Sequence, residues 1–303
     1  MSDVSTLPTT ERVVAPQAAS LWQTIVVLFK LRIVTLLLLA AMGGAFLAAG
    51  GIPAAGDLLL LLITGGAAAA GASALNQFLE RERDAAMRRT NKRPLAAGVL
   101  RRPTLILAIG LGLITAAVLV SLPVNPWLAI HLGLGALIYV GVYTIWLKPR
   151  SITNIVIGGA AGSCAVLAGG AAAGNWMDPG VLALAGLIFT WTPMHFWSLA
   201  LLYRDDYVVT GVPMLPVYTS AIVAARWVLA HGVVTALIAM YMAVHPTLGW
   251  IYFIPTVAAT VWMMHSGITF LRRPERREAL DFFKASNLYL AIVLLLVCGA
   301  AMI

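Results

Sequence analysis

The sequence predicts an all-α, polytopic membrane protein with about nine transmembrane helices. Three observations carry that prediction. First, 61% of the 303 residues are hydrophobic and only 11% are charged, at a mean hydropathy of +0.91. A soluble domain carries about 25% charged residues, and a chain this apolar has too little polar surface to face water. Second, the apolar runs are about 20 residues long, the length of a spanning helix rather than of an alternating barrel strand. Third, the 20 Lys and Arg residues are segregated along the chain, as membrane topology requires. The net charge of +8 is accordingly read as topology and as a site for an anionic ligand. Nucleic acid is excluded as a partner.

Taken in order, residues 1–20 are polar, with Asp3, Pro8, Glu11 and Pro16, and read as a flexible tail without a signal-peptide pattern. Residues 21–303 read as a single transmembrane domain. Splitting the apolar runs at charges and at Pro/Gly punctuation places spans near 24–49, 56–79, 103–121, 126–146, 153–173, 180–202, 220–244, 249–270 and 286–303. The tail and the intervals 80–102, 147–152, 203–219 and 271–285 then share one side. All Lys and Arg residues lie in them or within about two turns of the adjoining helix ends. The opposite turns, near 50–56, 122–126, 174–179 and 245–248, hold none. That puts the N-terminus and the large loops in the cytoplasm. The stretches GGAAAAGASA (65–74) and GGAAGSCAVLAGGAAAG (158–174) read as close helix packing, or as space opened for a bulky apolar ligand. Cys164 and Cys298 lie in apolar runs and read as buried small residues, and Trp127, Trp176 and Trp250 as parts of an interfacial belt.

Against that background NQFLERERD (76–84) stands out. On a helix, Asn76, Glu80 and Asp84 are spaced i, i+4, i+8 and share one face, whereas Glu82 falls on another. Three oxygen donors in a row suit Mg2+, which bridges one or two carboxylates to substrate phosphates. Arg88, Arg89, Lys92 and Arg93 follow, a patch suited to phosphate oxygens. The plainer reading is that Glu80 and Asp84 pair with Arg81, Arg83 and Arg88 at the membrane boundary. A second acidic pair, Asp205 and Asp206, falls on the same predicted face. Two such groups can hold metal ions around a diphosphate, above an apolar interior that would accept an isoprenoid chain.

NxxxExxxD followed by RRTNKRPL resembles the NxxxDxxxD signature of the UbiA superfamily of intramembrane prenyltransferases. KLRIVTLLLL (30–39), NKRPLAAG, NIVIGGAAG (154–162), TPMHFWSLAL (192–201) and DDYVVTGVPMLPV (205–217) resemble its haem-directed branch, the protohaem IX farnesyltransferases. The resemblance implies nine helices around a central cavity. It implies transfer of a farnesyl group from farnesyl diphosphate to a vinyl carbon of haem B, giving haem O, with Mg2+ assisting. On that basis Asn76, Glu80, Asp84, Asp205 and Asp206 are the catalytic positions, with Asn76, Glu80, Asp84 and Asp206 holding metal. Arg88, Arg89, Lys92, Arg93, Lys30 and Arg32 bind diphosphate, and His195, Asn154, Tyr203 and Tyr207 lie toward the haem. Asn154 reads equally as a helix cap. His131 and His245 are expected to be structural, and the run 271–278 to be a loop facing lipid headgroups.

The chain departs from the family pattern in places: Glu80 for the usual Asp, Leu31 for a Pro, SCAVLAGG for a Pro-Pro pair, and YRDDY where quinone-directed relatives have DxxxD. The resemblance further implies a bacterial inner-membrane location, contact with membrane lipid, and hand-over to haem A synthase or oxidase assembly. Two other readings are a UbiA-type enzyme acting on a quinone or chlorophyll precursor, and an ion-coupled transporter. No internal repeat of the transporter kind is present.

Overall fold

A computed structural model describes residues 20–303, so the expected flexible tail, apart from Ser20, lies outside the described residues. Among them nine helical stretches are long and apolar enough to cross a membrane: Leu31–Ala49, Ala55–Ala86, Pro103–Ser121, Pro126–Leu147, Asn154–Ala172, Pro179–Leu202, Ala221–Val244, Gly249–Arg272 and Arg276–Ala300. In chain order, the elements begin with α1 (Leu21–Leu28), α2 (Leu31–Ala49), α3 (Ala55–Ala86), α4 (Pro103–Ser121) and α5 (Pro126–Ala136), which continues as a π-helical stretch, Leu137–Leu147. Then come α6 (Asn154–Gly158), α7 (Ala160–Ala172), α8 (Pro179–Leu202), α9 (Arg204–Val209), α10 (Leu215–Tyr218), α11 (Ala221–Tyr241), α12 (Gly249–Arg272) and α13 (Arg276–Ala300).

The first expected span is broken. Ser20 and Gln23 form a reciprocal capping box that starts α1, and α1 ends at Phe29. Lys30 then takes φ 49°, a left-handed conformation rare for any residue with a Cβ. The chain turns there before α2 begins. Gln77 holds the break from α3: its Nε2 donates to the carbonyls of Val27 (2.6 Å) and Leu28 (2.8 Å) at the end of α1.

Two further boundaries differ from expectation. α3 runs on to Ala86 instead of stopping at 79, because Glu, Arg and Ala are good helix formers once the helix leaves the bilayer. Its 32 residues span about 48 Å, against about 30 Å of hydrocarbon. α13 starts at Arg276 instead of 286, so only Arg273–Glu275 of the expected basic loop is non-helical.

The glycine-rich stretches pack helices together. A Cβ on Gly44 would run into the Val166 backbone, and one on Gly169 into the Ala41 backbone, so α2 and α7 touch main chain to main chain. α2 also packs against α3, α8 and α13, and α8 against α11 and α13. The large buried cluster includes Leu187, Trp191, Met194, Tyr252, Phe282, Tyr289 and Leu294. Both cysteines are buried and free. Trp127 and Trp250 are exposed, and Trp176 packs on Trp127 at 5.1 Å. At that same end His131 Nδ1 donates to the Trp127 carbonyl (2.8 Å), and His245 Nε2 lies 3.2 Å from Asp178.

Candidate active site

The expected acidic face exists. Asn76, Glu80 and Asp84 are all buried on α3; Asn76 and Glu80 share one hydrogen-bonded network, and Asp84 pairs separately with Arg93. Asn76 Nδ2 donates to Glu80 Oε2 (2.9 Å) and to Thr144 Oγ1 (3.0 Å). Lys30 Nζ donates to Asn76 Oδ1 (2.6 Å) and to the Tyr139 hydroxyl (3.0 Å). Lys148 Nζ sits 2.5 Å from Glu80 Oε1, and Arg93 Nη1 sits 2.7 Å from Asp84 Oδ2. The carboxylates therefore pair with cations remote from α3's own Arg81 and Arg83. Arg81 instead meets the exposed Glu82. Lys30, at the mouth of α2, is lowered from the ordinary lysine value to about 7, by lost solvation first and by the Arg93 charge second.

Local structure explains how these groups meet. The turn at Lys30 lets its side chain leave the head of α2 toward α3. Thr90 Oγ1 donates to the Asp84 carbonyl (3.0 Å), folding the chain back after α3 so that Arg93 returns to Asp84. The π-helical stretch uses i→i+5 bonding: Lys148 N donates to the Tyr143 carbonyl at 2.8 Å. That wider turn brings Lys148 over the Tyr143 ring (5.5 Å), and Thr144 Oγ1 to the Tyr139 carbonyl (2.8 Å).

The second acidic pair divides. Asp206 is buried and its Oδ2 accepts from the Arg89 backbone N–H (3.0 Å), whereas Asp205 is exposed. The Arg89 guanidinium lies over the Tyr203 ring (5.6 Å) and reaches the Tyr207 hydroxyl (3.5 Å). α9 is thereby tied to the loop after α3.

Several expected site residues are not brought in. Arg32, Arg88, Lys92 and Asp205 are exposed. Asn154 is not a helix cap: it is fully buried inside α6, where its Nδ2 donates to the carbonyls of Ser151 (2.6 Å) and Pro213 (2.9 Å) and pins the 203–219 segment. His195 lies in α8 against α13, stacked on Trp191 and Phe283. Conversely, Lys148, Tyr139, Tyr143 and Thr144 belong to the network and were missed. The only signal for Lys148 was a basic residue in the LKPRS turn.

Among the described residues, no three His, Cys, Asp or Glu side chains converge as a metal cage. The expected ligands lie on two elements, Asn76, Glu80 and Asp84 on α3 and Asp206 on α9. Each carboxylate instead faces its own partner: Lys148, Arg93 or the Arg89 amide. The donors still fit Mg2+, which is commonly held by one or two carboxylates and completes its shell with substrate phosphates and water. Hard oxygens at Asn76, Glu80 and Asp84, with Lys30, Arg93 and Lys148 beside them, suit a metal–diphosphate pair better than a bare ion.

The chain is similar in sequence and in fold to known proteins. The protoheme IX farnesyltransferase 2 of Paramagnetospirillum magneticum is 40% identical over 227 residues, 74% of this chain and 77% of that protein. The protoheme IX farnesyltransferase of Metallosphaera sedula is also 40% identical, over 75% of this chain and 79% of its own. Among solved structures, one described as digeranylgeranylglyceryl phosphate synthase superposes with a TM-score of 0.76 at 17% identity, over 93% of this chain and 98% of that one. A UbiA homolog from Archaeoglobus fulgidus, bound to DMAPP and Mg2+, superposes with a TM-score of 0.62 at 13% identity, over 90% and 99%. At those identities the superpositions speak for the fold. The UbiA prenyltransferase family model matches residues 36–298, and the chain belongs to that family.

Proposed function

We propose that the protein transfers the farnesyl group of farnesyl diphosphate to a vinyl carbon of haem B, producing haem O and diphosphate. The observation that carries the reading is the Lys30–Asn76–Glu80–Lys148 network with Arg93 on Asp84, a buried cluster of oxygen donors and cations at one end of an apolar bundle. The 40% identity to protoheme IX farnesyltransferases supports haem as the acceptor.

Asn76, Glu80 and Asp84 would hold Mg2+, whose charge assists departure of the diphosphate. Lys30, Arg89, Arg93 and Lys148 bind the diphosphate oxygens and keep them oriented as the allylic C–O bond breaks. When diphosphate enters, it competes with Glu80 and Asp84 for these cations and frees carboxylate oxygens. The haem vinyl group attacks the allylic carbon, and water adds to the neighbouring carbon and loses a proton, leaving a hydroxyl. The protein needs no general base for the first bond; its work is positioning and exclusion of water until that bond forms.

The same reading puts the protein in a bacterial inner membrane with its N-terminus and site on the cytoplasmic face. The basic loops support that orientation. Farnesyl diphosphate, haem B and membrane lipid are its partners, and haem A synthase or oxidase assembly receives the product. Incubation of purified protein with haem B, farnesyl diphosphate and Mg2+ is expected to yield the mass of hydroxyfarnesylated haem. Product from a quinone or aromatic acid precursor, and none from haem, would replace haem as the acceptor.

A further inference from the structure

Among the described residues His195 is the one histidine whose ring is stacked between two aromatic side chains. Both faces of its ring are covered, by Trp191 at 4.4 Å and 12° and by Phe283 at 4.4 Å and 26°. Trp191 is itself fixed, since its Nε1 donates to the Ser286 carbonyl (2.8 Å). The ring edge is set by Ser286: its hydroxyl donates to the Phe283 carbonyl (2.9 Å) and lies 2.9 Å from His195 Nδ1. Because the one hydroxyl proton is committed to Phe283, the Ser286 oxygen accepts and Nδ1 carries the imidazole proton. Nε2 is then a bare lone pair with no protein partner among the described residues, on a side chain that is only half-buried. A donated second nitrogen, a locked ring and a free lone pair are what orient an imidazole toward a metal.

The position suits the acceptor. His195 lies seven residues before the end of α8, about 10 Å of helix from the face where α9 carries Asp206 to Arg89. α2, which begins beside Lys30, packs on both α8 and α13. His131 and His231 also keep Nε2 unpartnered, but among the described residues only His195 has its ring stacked between two aromatic rings. Nδ1 of His131 and of His231 meets the carbonyl of Trp127 or Trp227 one turn earlier, His245 pairs with Asp178, and His265 is exposed.

Resting on the haem reading above, we infer that His195 binds the porphyrin iron through Nε2, and that this bond is how the site selects an iron porphyrin over a metal-free porphyrin or another aromatic acceptor. No bond in the reaction changes at the iron; the ligand fixes where the macrocycle stands, and hence which vinyl edge faces the prenyl group.

The test compares wild type, His195→Ala and Ser286→Ala in detergent or nanodiscs. It reads the haem absorption spectrum and the affinities for haem B, metal-free protoporphyrin IX and farnesyl diphosphate. Wild type is expected to give an imidazole-ligated spectrum and to bind haem B about tenfold or more tightly than protoporphyrin IX. His195→Ala should abolish both the spectrum and the preference, with added imidazole restoring the spectrum. Ser286→Ala should weaken haem affinity by a smaller factor, and all three proteins should bind farnesyl diphosphate equally, which shows that they are folded. An unchanged spectrum in His195→Ala, or an equal loss of affinity for both porphyrins, would overturn the assignment. Wild type that binds neither porphyrin, yet prenylates a different acceptor, would overturn the haem reading and this inference with it.

Discussion

Lys148 and Glu80 show why single residues in this site resist reading from sequence. Glu80 was visible because i, i+4, i+8 spacing marks a helical face; Lys148 was not, because it reaches that face from another span through a π-helical turn. Both partners are buried, with side-chain exposures of 4% and 12%, so removing one leaves an uncompensated charge. Lys148→Met is therefore expected to destabilise the protein by about 3 kcal/mol, seen as a lower thermal midpoint, and to raise KM for farnesyl diphosphate. Arg32→Ala, an exposed position, should change neither measurably. If the two variants behave alike, Lys148 is not part of the site. Asp205 and Asp206 carry the same lesson: adjacent and identical in type, one is exposed and the other holds a backbone amide.

The nine spans were legible as elements because each apolar run is long and most are punctuated by Pro, Gly or charge. What escaped was structure inside a run. Residues 24–49 are uncharged except for Lys30 and Arg32, and two charges near a span end fit a continuous helix as well as a break, so composition does not specify the left-handed turn at Lys30. That turn is set by tertiary contacts: Gln77 on the end of α1, and Asn76 and Tyr139 on the Lys30 ammonium. The conformation costs a residue with a Cβ about 1 kcal/mol, which glycine avoids. Lys30→Gly and Lys30→Ala both lose the ammonium and should lose activity together. The glycine variant should nevertheless unfold at the higher temperature, by about 1 kcal/mol. An alanine variant as stable as the glycine one would mean that the turn is not strained. The helix packing, by contrast, was legible: the Gly runs lie where α2 and α7 meet main chain to main chain.

At the scale of the whole molecule, an apolar bundle confines its charged chemistry to one end. α3 is too long for the bilayer, and its last turns carry Glu80 and Asp84 to the basic face, where the loop after α3, the π-helical stretch and the head of α2 all deliver cations. The other end holds the Asp178–His245 pair and no Lys or Arg in its turns. This division was the most legible property of the sequence, since it follows from charge counting alone. The convergence of Lys30, Arg93 and Lys148 was not, because it depends on which helices neighbour one another. That end of the bundle is expected to hold a metal–diphosphate. The direct measurement is calorimetric titration of farnesyl diphosphate into wild type, into the Glu80→Gln/Asp84→Asn double variant and into Asp205→Asn, with and without Mg2+. Mg2+-dependent binding is expected in wild type and Asp205→Asn, weakened by about tenfold or more in the double variant, a loss of at least about 1.4 kcal/mol. Binding that ignores Mg2+ and is unchanged by the double substitution would contradict that expectation.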